Sequence, residues 1–76
     1  MTQEIRYPEC EVALTEVEGN AMHIIGAVRR SLRLYFRETD VDNATAEAEL
    51  NAFSTEAMSG NYDHLLQTCM RWVDVS

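Results

Sequence analysis

Between Glu9 and Thr15 apolar and polar positions alternate, with Cys10, Val12 and Leu14 on one side of an extended chain and Glu9, Glu11 and Ala13 on the other. A period of two is the signature of a half-buried strand. After a turn at Glu18, Gly19 and Asn20 the period lengthens. Turning about 100° per residue from Ala21 gathers Ala21, Ile24, Ile25, Val28, Leu32, Tyr35 and Phe36 into one arc, so the spacing predicts an amphipathic helix with Asn20 as its N-cap. The same wheel sets His23, Gly26, Arg30, Arg33 and Arg37 on the opposite side, with Arg29 at the edge.

An acidic connection, Glu38 to Asn43, leads to a second helix capped by Asn43 or Thr45, with an apolar stripe of Ala46, Leu50, Phe53 and Ala57. Ser59 and Gly60 close it, Gly60 being suited to the left-handed position past a helix C-terminus. Asn61 caps a third helix whose first turn carries Asp63, favourable against the helix dipole, and whose stripe is Tyr62, Leu65, Leu66, Cys69 and Val73. Trp72 to Ser76 reads as the end of that helix running into an extended segment that pairs with Glu9 to Thr15. Two short strands hold only when helices cover one of their faces. The expectation is a single α+β domain over residues 1–76, mostly helical: three helices packed on a two-stranded ribbon in the order β-α-α-α-β.

Composition narrows the partners more than the fold. Thirteen acidic residues against six basic ones give a formal charge of −7, which disfavours direct binding to nucleic acid or to an anionic membrane and favours solubility or a basic partner surface. No apolar run reaches a membrane-spanning length, and Met1 to Tyr7 lacks the pattern of a signal peptide, so a cytoplasmic location is expected. Cys10 and Cys69 fall on apolar faces, where reduced core thiols are the expected state. Tyr35, Phe36 and Trp72 either fill the core or form an apolar patch that would favour a homodimer.

Three guanidinium forks at Arg30, Arg33 and Arg37, with Gly26 opening room beside His23, suit carboxylates or phosphates. A solvated helix face with its arginines paired to nearby acids is the plainer alternative. The outward side of the third helix adds His64, Gln67, Thr68 and Arg71. Glu38, Asp40, Asp42 and Glu49 match the carboxylate spacing of an EF-hand loop, but Asn43 stands where that loop needs glycine, so an acidic connector is the expectation and no metal is assigned. Cys10, Cys69, His23 and His64 lack the local pairs of a zinc site. Asn20 and Asn61 open helices without a phosphate-binding loop. No carboxylate couple and no cysteine–histidine pair marks a catalytic centre, so neither cofactor nor enzymatic activity is expected; a metal-dependent enzyme is the remote alternative.

The stretches Glu18-Gly-Asn-Ala-Met-His-Ile-Ile-Gly-Ala-Val and Ser59-Gly-Asn-Tyr-Asp-His-Leu-Leu-Gln-Thr-Cys-Met-Arg-Trp-Val resemble a group of short proteins of actinobacteria and their phages that has no established activity. The resemblance covers most of the chain and departs at Arg37 to Asn43, which is longer and more acidic than the short glycine-containing turn of that group. It implies an accessory protein acting on a host protein, which agrees with a small acidic interaction module. The alternative is a nucleic-acid mimic presenting Glu9, Glu11, Glu16, Glu18, Glu38, Asp40, Asp42, Glu47 and Glu49 to a defence nuclease or restriction enzyme.

Overall fold

A computed structural model describes residues 5–14 and 19–76 and has the expected element order: β1 (Tyr7–Val12), α1 (Ala21–Glu38), α2 (Asn43–Ala57), α3 (Tyr62–Trp72) and β2 (Val73–Val75). The strands lie side by side in parallel, Tyr7 opposite Val73, Glu11 opposite Asp74 and Val12 opposite Val75. Parallel strands need a long crossover, which here is all three helices. β1 runs from Tyr7 to Glu11 while β2 advances only from Val73 to Asp74, so the ladder is irregular there. Pro8 falls inside this irregular stretch and has no N–H to give to a ladder.

Strand β1 begins earlier and ends sooner than the alternation suggests, and Thr15 lies outside the described residues. Its start is fixed by packing. The Tyr7 ring sits 5.1 Å from Phe36, 5.7 Å from Tyr35 and 6.1 Å from Trp72, centroid to centroid, which holds the chain extended against the helices. The inward side is as expected: Cys10 and Val12 are buried and Leu14 packs against the core.

Helix α1 packs on β1, α3 on β2, and α2 bridges the two helices. Buried Ile24, Ile25, Val28, Leu32 and Phe36 of α1 meet Leu50, Phe53 and Ala57 of α2 and Leu65, Cys69 and Trp72 of α3. Phe36 and Trp72 are therefore core residues, and Tyr35 is half-buried beside them. The wheels mislead at element ends. Ala21 and Tyr62 fall on the apolar stripes, yet both are exposed, because each is the first residue of its helix and lies beyond the neighbour that would cover it. Thr68 errs in the other direction. Expected on the outward side of α3, it is fully buried, its hydroxyl donating to the His64 carbonyl at 2.8 Å, so a polar side chain is accommodated without an unmet hydrogen bond.

Caps explain the helix limits. Asn20 accepts from the Met22 N–H at 2.8 Å and Asn61 from the His64 N–H at 2.9 Å, as their sequence positions suggest. The cap of α2 is neither Asn43 nor Thr45 but Asp42, which accepts from the Thr45 N–H at 3.1 Å; α1 ends in a turn that delivers Asp42 in extended conformation one residue before the helix. In that turn the Val41 N–H reaches the Phe36 carbonyl (2.9 Å) and the Asp40 N–H the Arg37 carbonyl (3.4 Å), the pair of bonds of a Schellman motif. Asp40 takes its left-handed position with φ of 61°. Because that position suits glycine, Asp40→Gly is expected to raise stability by about 0.5–1 kcal/mol, read as a higher urea midpoint at constant slope.

Candidate functional site

The face of α1 turned away from the core carries His23, Gly26, Arg30, Arg33 and Arg37, all exposed. A Cβ built on Gly26 meets nothing within 4 Å, so this position is open surface. The arginines divide into two sets. Arg6 forms a two-pronged pair with Glu49 (2.9 and 3.0 Å) while lying 4.7 Å over the Trp72 ring. Arg29, half-buried, donates to the Leu50 carbonyl at 3.0 Å and to the Ser54 hydroxyl, fastening α1 to α2. Arg71 reaches Glu56 at 2.7 Å. Among the described residues, Arg30, Arg33 and Arg37 have no such partner. No described acid forms an ion pair with these arginines, although Asp40 and Glu47 line one hollow with Arg33 and Arg37.

The residues expected on the outward side of α3 do different work. Glu56 near the end of α2 receives Arg71 and, at 3.2 Å, the Trp72 indole N–H. His64 places Nε2 2.9 Å from the Glu56 carbonyl and 3.0 Å from the Ser59 hydroxyl. A carbonyl only accepts, so the Nε2–H form of the ring satisfies this contact. His64 and Arg71 thus tie α3 to the end of α2, while Gln67 remains exposed. The Glu56 carboxyl is held below the usual glutamate range, first by the Arg71 hydrogen bond and then by that of Trp72. A lowered folded-state pKa adds stability above the ordinary value of about 4.3, and that stability disappears as pH falls through the lowered one. Glu56→Gln is therefore expected to flatten the acid limb of a stability–pH profile. The pair is more than a third exposed, so the loss at neutral pH should stay below about 1 kcal/mol.

The acidic window Glu38, Asp40, Asp42 and Glu49 does not converge. Asp42 caps α2, and Glu49 is engaged by Arg6 and by the Tyr7 hydroxyl. Among the described residues no group of three or more histidines, cysteines, aspartates or glutamates is arranged to hold a metal ion. Of the acids assigned to a nucleic-acid mimic, Glu49 is half-buried and paired with Arg6, Asp42 is exposed while capping α2, and Glu16 and Glu18 lie outside the described residues. Cys10 and Cys69 are free and buried, and burial pushes the Cys69 thiol up to about 11 and the Cys10 thiol in the same direction. Neither supplies a thiolate at neutral pH.

A further surface had no clear signal in the sequence. Met22, Met58, Tyr62 and Met70 are exposed and edge two adjoining hollows of about 260 and 430 Å³ that share Tyr62, floored by Ile25 and Leu65 in one and by Ile24 and Leu66 in the other. Met22, Met58 and Met70 belong to three different parts of the helical layer, so no single periodicity brings them together. No helix among the described residues is long and apolar enough to cross a membrane. No protein-family model, curated protein or solved structure matches the chain.

Proposed function

We propose that this chain is a protein-interaction module that engages an acidic surface of a partner protein through Arg30, Arg33 and Arg37 of α1. One observation carries the reading: in a chain with a formal charge of −7, these three arginines share one exposed helical face and form no ion pair among the described residues, whereas Arg6, Arg29 and Arg71 are all committed. Unpaired guanidinium groups spaced three and four residues apart form a row along the helix, which matches carboxylates on an opposing helix or loop. The open surface at Gly26 lets a partner backbone approach closely. The resemblance to phage-encoded proteins suggests a host protein as that partner.

The test is capture of a partner from nuclease-treated host lysate by the immobilised protein, followed by titration of the purified partner against the triple variant Arg30→Ala, Arg33→Ala, Arg37→Ala. Binding is expected to weaken by on the order of a hundredfold, with association slowed by salt, as for charged groups at an interface. Stability should change by no more than about 0.5 kcal/mol, since all three side chains are exposed. A partner held with unchanged affinity by the triple variant would overturn the assignment. Release by added DNA would favour the acidic mimic instead.

A further inference from the structure

Among the described residues strand β1 has one edge occupied by β2 and one without a neighbouring strand. The Val12 carbonyl accepts from the Ser76 N–H at 3.0 Å and the Leu14 N–H donates to the Ser76 carbonyl at 3.1 Å, so here the even-numbered residues turn their backbone groups toward β2. The pleat then turns the N–H and C=O groups of Glu11 and Ala13 to the opposite edge. Among the described residues β1 has no neighbouring strand but β2. That open edge borders a groove of about 220 Å³ whose other wall is α1. Leu34, half exposed, offers an apolar contact there, and the Tyr35 hydroxyl donates to Glu9 at 3.2 Å.

The charge of the groove is one-sided. Glu9 and Glu11 from β1 and Glu38 from the end of α1 line it, no basic residue does, and none of the three has a cationic partner among the described residues. We infer that the open edge of β1 accepts an extended basic peptide segment as a third strand. Its main chain bonds to Glu11 and Ala13. Because side chains of a strand alternate, residues on the outer face stand beside Glu9 and Glu11 and are basic, while those between them turn toward Leu34 and Tyr35 and are apolar. An alternating basic–apolar sequence is the occupant that both faces select.

A second copy of this chain does not fit. Pairing β1 with its own copy would bring Glu9 and Glu11 of both chains together, and like charges across a ladder are repulsive. None of Arg30, Arg33 and Arg37 lines this groove, and their face of α1 attracts the opposite charge, so either assignment can fail without the other.

The probe is a short synthetic peptide alternating arginine and valine, titrated into the isotopically labelled protein. The amides of Glu11 and Ala13 are expected to shift and to gain protection from hydrogen exchange. Methylating the peptide amides on the edge that faces β1 should weaken binding by about tenfold or more, and Glu9→Gln with Glu11→Gln by about tenfold. The Arg30, Arg33, Arg37 triple variant should bind the peptide as the wild type does. Equal affinity for the methylated peptide would reduce the effect to charge attraction and overturn the strand-addition geometry. Absence of binding, or shifts confined to other elements, would overturn the site itself.

Discussion

Replacing Phe53 with alanine is expected to leave much of the population unfolded at room temperature. Phe53 is fully buried in α2, and its ring meets Trp72 edge-on at 5.5 Å and 70°. Removing it deletes the aromatic contact between α2 and the end of α3, from which β2 continues directly, and leaves the polar bonds of Glu56 across that junction. Truncations of this kind cost about 3–5 kcal/mol, because the lost apolar transfer is compounded by a cavity the neighbours fill only in part. A domain of this size sits near the low end of the usual stability range of about 5–15 kcal/mol, so the change removes most of what there is. Urea denaturation followed by Trp72 fluorescence and circular dichroism measures it. Met58→Ala is the control: five residues on and 55% exposed, it should stay within about 0.5 kcal/mol of wild type. A Phe53→Ala variant as stable as that control would mean that α2 does not pack as described.

Gly60→Ala is expected to cost about 1–3 kcal/mol by overpacking, and the reason differs from the one its position suggests. A glycine just past a helix is ordinarily explained by a left-handed backbone. Here no described glycine has a positive φ, so Gly60 is not in that conformation. A Cβ at this position would instead come within 2.8 Å of both Cβ and Cγ of His64. The approach to Cβ is set by the path of the backbone into α3, and the approach to Cγ by the side-chain rotamer that carries the ring to the Glu56 carbonyl and Ser59. Neither clashing atom is the far end of a flexible side chain, and the Cβ contact is relieved only by moving the start of α3 relative to Gly60. The two explanations separate in a double-mutant cycle. If space is the cause, Gly60→Ala should cost much less in a His64→Gly background; if backbone conformation were the cause, the two changes would add.

The contrast between Gly60 and Asp40 shows where reading along the chain reaches its limit. Both follow a helix, and local preference assigns the left-handed position to the glycine. The structure gives it to Asp40, because the Schellman bonds there let Val41 pack against the core while Asp42 turns to cap α2. Which of two turns needs the unusual backbone depends on how the next helix must leave, and that is set by packing.

By itself the sequence determined the class and order of the elements. Periods of two and of 3.6 are local consequences of backbone geometry, and Asn20 and Asn61 cap α1 and α3 through bonds spanning two or three residues. The arginine row on α1 was legible for the same reason, since one helix is enough to bring its members together. Only the tertiary structure decided which arginines are free of partners, because Arg6, Arg29 and Arg71 find theirs across fifteen or more positions, at Glu49, Leu50 and Glu56. It likewise decided the parallel pairing of β1 with β2, the burial of Thr68, the methionine-edged hollows and the open acidic edge of β1. Each depends on residues from separate elements meeting in space, and no pattern along one element encodes where another will come to rest.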